Sequence, residues 1–518
     1  MKIELFDSTL RDGSQGEGIS FSVQDKINIV KALDEFGITY IEAGNPASNP
    51  KEMLFFESIS DVKLKNSKLC AFGSTVRKGS NPETDSGLQS LVGANTPVVA
   101  IFGKAWDLHV TEILKISPED NLKIVSDTIS YLKGLGKEVV FDAEHFFDGY
   151  KANCEYAMKV LEAAKNSGAD CLCLCDTNGG TLPDELGRIT RYVTEQFPDT
   201  RIGIHCHDDS GCAVANSVTA VQNGAVQVQG TFIGFGERCG NANLSAIIPN
   251  LVLKCGFECG VELQRLKDTA AKIAEISNVR IHSTSPYIGK SAFSHKGGMH
   301  IDGVLKLHES FEHIDPELVG NERKFLLSEV SGRGTVLPKI RAVAPQLTKS
   351  SPETAAITQK LKEQELHGYQ YEGAEASFEL FVKKQLNLWK PHFNVIMYKV
   401  TDDFPAPDGE QQSNAMIKIE CDGVTEFMCD VGNGPVNALD KALRRALRVF
   451  YPEISKLHLT DYKVRVIDSK NTDALTRVLI ESSDGSDTFT TIGVANDIIE
   501  ASFTAIVDSI EYKLSKGE

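Results

Sequence analysis

The chain has 518 residues, 41% of them hydrophobic and 24% charged, so it is too long for one ordinary domain and has apolar side chains enough for large cores. A formal net charge of −17 argues against a general nucleic-acid or anionic-membrane binder, since such proteins concentrate Lys and Arg against phosphate. The amino terminus runs directly into a strand pattern without a signal-like segment, and no stretch approaches membrane-spanning length, so a cytoplasmic protein of two or three domains is expected.

Up to about residue 255, short β-rich runs alternate with longer amphipathic stretches. Strands are predicted at 2–7, 39–43, 68–73, 97–102, 138–141, 170–175, 201–205 and 226–231. Helices are predicted at 23–36, 118–135, 151–167, 183–196, 213–223 and 244–255, several opened by Ser, Asp or Pro where helices start. Eight β/α units over about 250 residues fit a closed (β/α)8 TIM barrel. An open doubly wound sheet alternates the same elements, but its Gly-rich phosphate turn after the first strand is absent. The sixth strand carries Cys171, Cys173 and Cys175 in alternation. Such apolar placement reads as reduced, buried small side chains rather than a disulfide framework, although the spacing also imitates a thiolate metal site.

From 262 to 370 the alternation stops and helical segments take over, interrupted by GKSAFSHKGGMH at 289–300 and SGRG at 331–334; this reads as a helical linker region after a 1–261 barrel. The remaining 371–518 carries an internal repeat. Residues 414–429, a GNGP turn and a helix at 436–450 are echoed by 474–491, a GVAN turn and a helix at 498–514. A duplicated α+β unit without a catalytic cluster fits either a regulatory ligand-binding module or a purely structural dimer module.

Barrel active sites collect at the carboxyl ends of strands, where Arg11, Asp12, Glu42, Glu144, Thr177, His205 and His207 all fall. Alternation along the seventh strand sends both imidazoles of HCH at 205–207 to one side, which is half a metal site; a hydrogen-bonded structural pair is the other reading. Asp12 would add a hard oxygen, and Asn241, after the eighth strand, an amide oxygen. Mixed oxygen and nitrogen donors favour Mg²⁺, Mn²⁺ or Zn²⁺ with positions left for substrate. Arg11, beside a predicted ligand, can lie over a carbonyl oxygen that gains charge, or it can form an ion pair with Glu42 or Glu144. Glu144 is a candidate for positioning a base or a water. Thr177 can hydrogen-bond a substrate carboxylate or cap a turn.

DSTLRDGSQ at 7–15, IEAG at 41–44, HCH at 205–207, GERCGNANL at 236–244 and HKGGMHIDG at 295–303 together resemble the 2-isopropylmalate, citramalate and homocitrate synthase branch of the DRE-TIM metallolyases. The resemblance continues through PELVG at 316–320 and SGR at 331–333 into the repeat, which is similar to that branch's allosteric domain. FDAEHFFDGY at 141–150 and GYQYEGAEAS at 368–377 look most like the citramalate synthase subgroup. That implies a Claisen condensation of acetyl-CoA with pyruvate and hydrolysis of the thioester, in isoleucine biosynthesis. By the same resemblance Asp12, His205, His207 and Asn241 would hold the divalent metal, and Arg11 would stabilise oxyanion charge. His300, oriented by Asp302 and assisted by Glu144, would help remove the acetyl methyl proton, and Gln15, Glu42 and Thr177 would bind substrate. A homodimer is implied in which His300 reaches the partner's barrel, with isoleucine as an effector of the last domain. Phe311 departs from the tyrosine that relatives often have. The larger 2-oxo acids of 2-isopropylmalate or homocitrate synthase, a silent branched-chain amino-acid sensor and a retro-aldol lyase are the rival readings.

Overall fold

A computed structural model describes residues 2–326, 333–402, 412–467, 474–485 and 487–516. The chain divides into two compact units, Met1–Ser294 with Glu312–Arg323, and His295–Phe311 with Lys324–Glu518. No helix among the described residues is long and apolar enough to cross a membrane.

The first unit is a closed barrel of eight strands in sequential order. They are β1 (Glu4–Asp7), β2 (Tyr40–Glu42), β3 (Lys68–Ser74), β4 (Val98–Lys104), β5 (Glu138–Glu144), β6 (Cys171–Asp176), β7 (Arg201–Cys206) and β8 (Gln227–Gly230). All pairs are parallel, and β1 closes on β8 with Asp7 opposite Gly230. Each predicted strand is present, and the open-sheet alternative is excluded. Outward-facing side chains such as Leu5, Ile41, Val99, Leu172 and Ile204 join the surrounding helices in one buried core. A second, smaller cluster that includes Phe6, Cys70, Ala100, Val140 and Cys173 fills the interior, so the barrel is packed rather than open.

Two predicted helices differ in detail. The 151–167 stretch is broken into Phe146–Ala152 and Cys154–Asn166, because Asn153 leaves the helical conformation and its side chain caps Tyr156 N. The 244–255 stretch is α-helical only over Leu244–Pro249 and continues as a wide π turn, Asn250–Lys254. Helices Pro50–Ile59 and Ser86–Gly93 complete the β/α units after the second and third strands, for which no helix bounds are predicted from the sequence.

The floor of the barrel is ionic. Arg201 on β7 donates to both carboxylate oxygens of Glu4 on β1 at 2.9 Å, to Tyr40 Oη at 3.1 Å and to Glu138 Oε1 at 2.8 Å. Lys68 adds a bond to the other Glu138 oxygen. One guanidinium thus ties the amino-terminal ends of β1, β2, β5 and β7, the end of a barrel whose polar groups serve stability rather than chemistry.

The predicted linker straddles the two units; the part of it in the second unit is helical over Gly298–Lys306, Arg333–Val343 and Pro352–Leu366, while Ser331 and Gly332 lie outside the described residues. The repeat is real but larger than its sequence echo. Strands Asn394–Asp402, Ser413–Cys421 and Val424–Gly432 with helix Pro435–Leu447 are matched by His458–Val466, Thr476–Ser483, Thr488–Ala495 and helix Ile498–Ser515. The opening strand of each half escaped prediction because most of its residues are exposed, which leaves no clean two-residue alternation to read. The halves also differ. Leu479 and Ile492, on the face of the second sheet away from its helix, are covered by Tyr371, Phe378 and the linker helices. The corresponding face of the first sheet leaves Met397, Phe427 and Val431 exposed.

Burial raises the Glu138 carboxyl, but the hydrogen bonds from Lys68, Arg201 and Tyr40 outweigh it and hold the group at about 2, against an ordinary 4.5. A depressed carboxyl stabilises the fold above its unfolded value, and the contribution is lost as pH falls from about 4.5 towards 2. Glu138→Gln is therefore expected to cost about 1–2 kcal/mol at neutral pH, after discount for partial exposure. It should also flatten the acid limb of the denaturation curve over that window, measured by guanidinium titration at several pH values.

Candidate metal centre

The chain after β1 turns sharply through Ser8-Thr9-Leu10. Asp7 accepts from Thr9 N at 2.9 Å and from Thr9 Oγ1 at 3.0 Å, and Thr9 Oγ1 in turn accepts from Phe232 N beyond β8. Gly13 is needed immediately after, since a Cβ there would lie 2.6 Å from the Phe235 ring. This turn delivers Arg11 and Asp12 over the carboxyl ends of β7 and β8.

Asp12 Oδ2 lies 3.4 Å from His205 Nε2 and 3.8 Å from His207 Nε2, and the two nitrogens are 3.3 Å apart. All three side chains are buried and converge within the reach of one cation. Asn241 pairs with His207 through the backbone, and its buried amide oxygen and nitrogen both lack partners among the described residues. The same is true of Asp12 Oδ1; His207 Nδ1 is unpartnered as well, but it is Nε2 of that ring that faces the other ligands. Buried polar atoms are normally hydrogen-bonded, so orphaned donor atoms gathered around two facing imidazoles and a carboxylate fit a bound divalent ion.

Electrostatics agree. Burial opposes the charge on Asp12, but the adjoining Arg11 and the two imidazoles outweigh it and hold the carboxyl well below its usual range. Burial pushes His207 down to about 4, helped by His205, so it presents a neutral ring. Burial and the nearby Glu42 raise Asp142 to about 6. Asp12, Glu42 and Asp142, all buried, face Arg11 as the cavity's guanidinium, an imbalance that a 2+ ion offsets.

Arg11 both pairs and points. Its Nε donates to Glu42 Oε2 at 2.7 Å, its Nη1 lies 3.1 Å from Asp12 Oδ2, and its guanidinium rests 3.8 Å above the Phe72 ring. Glu42, wholly buried and also bonded to Ser8 Oγ, stands behind Arg11 rather than against the cavity. Two residues on, Gly44 is required for packing: at φ 151° its missing Cβ leaves room for Glu52, whose carboxylate pairs with Lys26, the donor to Ala43 O.

The cavity above these groups holds about 220 Å³, room enough for a small acid, and is lined by Arg11, Asp12, Gln15, Glu144, Thr177, His205 and His207 among others. Thr177 Oγ1 accepts from His145 N at 2.8 Å, which leaves its own proton to donate to a ligand. Glu144 is ion-paired with Lys104, not with Arg11. His300 and Asp302 lie on helix Gly298–Lys306 of the second unit; the His300 ring stacks on Phe311 at 4.4 Å, and Asp302 accepts from Lys306. Among the described residues no hydrogen bond joins His300 to Asp302.

Several lining or supporting groups escaped the sequence reading: Asp142, Gln229, Phe72, Phe102 and Glu237. The signal for Asp142 and Gln229 was polar side chains at alternating, inward-facing positions of strands. Asp142 also lies within ligand distance of Cys173 and Cys175. Burial raises the Cys173 thiol well above its ordinary value, and Cys175, although lowered by Cys173, is raised by burial to about 11, so both are protonated interior side chains. All twelve cysteines are free.

The HMGL-like family model matches residues 2–273, the homocitrate synthase post-HMGL domain-like model matches 287–367, and the LeuA allosteric (dimerisation) domain matches 372–514. An (R)-citramalate synthase from Aquifex aeolicus is 51% identical across 100% of this chain and 98% of its own length, and one from Geobacter sulfurreducens is 49% identical across the same shares. A 2-isopropylmalate synthase from Oceanobacillus iheyensis is 30% identical over 98% of this chain and 96% of its own. With its barrel, its linker and its terminal repeat each matched in turn, the chain belongs to the HMGL-like family, in the branch that carries a LeuA allosteric (dimerisation) domain.

Proposed function

We propose that the protein condenses acetyl-CoA with pyruvate and hydrolyses the thioester, releasing citramalate and CoA in a cytoplasmic route to isoleucine. The observation that carries this reading is the convergence of Asp12, His205 and His207 with Arg11 in one small-acid cavity, together with full-length similarity to (R)-citramalate synthases. The barrel of 1–261 carries the chemistry, 262–370 supplies the connecting helices, and 371–518 provides regulation and dimerisation.

Asp12, His205, His207 and Asn241 hold the divalent ion, Mg²⁺ or Mn²⁺ by the mixture of oxygen and nitrogen donors. Bound there, such an ion would supply Lewis acidity to the 2-oxo acid. Thr177 donates its hydroxyl proton to the substrate carboxylate, and Gln15 is a further lining residue that binds substrate. Arg11, aimed by Glu42, lies where the ketone oxygen becomes an alkoxide and offsets that charge without reorganising. His300, from the partner subunit, takes a proton from the acetyl methyl group, assisted by Glu144; the resulting carbanion equivalent forms the new bond to the ketone carbon. Water then cleaves the thioester and CoA leaves as the thiol. Exposed Met397, Phe427 and Val431 on the first sheet of the repeat support association through that domain, and isoleucine is its proposed effector.

Incubation with Mg²⁺, acetyl-CoA and a panel of 2-oxo acids should release free thiol fastest with pyruvate, with isoleucine lowering the rate more than leucine. Preference for a larger 2-oxo acid would replace this reading with 2-isopropylmalate or homocitrate synthesis. Exhaustive chelation and His207→Ala should each bring turnover below about 1% of wild type, with Mg²⁺ or Mn²⁺ restoring only the chelated protein.

If His300 serves the other subunit's barrel, His300→Ala and Asp12→Asn proteins, each inactive alone, should regain roughly a quarter of wild-type activity when dissociated together and reassociated at equal concentration. No recovery in proven mixed dimers would place base and metal on the same chain.

A further inference from the structure

We infer that Gln229 and Asp142 form a buried relay that fixes which nitrogen of His205 is offered to the cation, making Gln229 a positioning residue for the metal centre. The inference rests on the reading of Asp12, His205 and His207 as metal ligands. Gln229 on β8 is the register partner of His205 on the neighbouring β7, and both side chains are buried. A neutral imidazole has one nitrogen with a free lone pair, and the contact made by the other nitrogen decides which one it is.

His205 Nδ1 lies 3.2 Å from Gln229 Oε1. An amide taken alone can face either way round, so this contact does not by itself identify the donor. The far end of the side chain settles it. Gln229 Nε2 is 3.0 Å from Asp142 Oδ1, a carboxylate oxygen that accepts. The amide nitrogen must therefore face Asp142, the amide oxygen must face His205, and the proton of His205 must sit on Nδ1. In the neutral ring that a metal ion requires, the lone pair is then on Nε2, the atom 3.4 Å from Asp12 Oδ2 and 3.3 Å from His207 Nε2. His207 is the contrast: its Nδ1 is buried without a partner among the described residues, so only one of the two rings is preset.

The alternative is that the trio simply satisfies polar groups inside the barrel. Mn²⁺ binding to the full-length protein without substrate, by equilibrium dialysis, separates the two, with melting in chelator as the control for stability. Gln229→Leu is expected to weaken Mn²⁺ binding about 10–100-fold. Asp142→Asn and Asp142→Leu remove the same charge, but only asparagine keeps an oxygen that can hold the amide of Gln229. The asparagine variant is expected to bind Mn²⁺ at least about tenfold more tightly than the leucine variant. Wild-type affinity in Gln229→Leu, with or without a lowered melting temperature, or equal affinities in the two Asp142 variants, would overturn the relay. Should Gln229→Leu not fold, Gln229→Met also lacks the amide and is judged by the same thresholds. Failure of the wild-type protein to bind Mn²⁺, or binding undiminished by His205→Ala, would instead defeat the metal-site reading itself.

Discussion

Buried negative charge governs the catalytic half of this molecule. Asp7, Asp12, Glu42 and Asp142 are all enclosed by the upper barrel, and isolated carboxylates in such a place are costly unless paired or protonated. Each is handled differently. Burial lifts Asp7 to about 7, partly opposed by its bonds to Thr9, so a proton can neutralise it. Glu42 is bound by Arg11, Asp142 by the amide of Gln229, and Asp12 stays charged because Arg11 and two imidazoles surround it. The position of the guanidinium, the facing of the histidines and the donor set offered to a cation are all consequences of resolving that one imbalance.

How much of this can be read in the chain depends on which way a side chain faces. The barrel was legible because its strands, covered on the outside by helices, are nearly continuous apolar runs with helical periods between them. The ends of those strands were not. The fifth strand was expected to stop at Phe141, yet it continues through Asp142 and Glu144 because these polar residues point into a mouth built to hold charge. The same polarity that marks a turn in a sequence marks a binding site inside a barrel. His205 and His207 could be found since their spacing limits them to one face of a strand, and Asp12 since it follows the end of another; Gln229 carried only the weaker signal of a polar side chain at an inward-facing strand position.

The terminal repeat teaches a related lesson. Its echo was carried by the strands that pack on helices, and the solvent-facing opening strand of each half left no trace. Sequence similarity between the halves also concealed their different surroundings, since one sheet is covered on its outer face and the other is not.

That covering has a mechanical side. Val336, Ile340, Ile357 and Leu361 of the linker helices share a single apolar cluster with Tyr371, Phe378 and Ile492, and the helix bearing His300 packs on Arg333–Val343. Amide protons in the second sheet and in the linker should therefore exchange as one cooperative block, and loosening Ile492 would lower the protection of segments more than a hundred residues upstream.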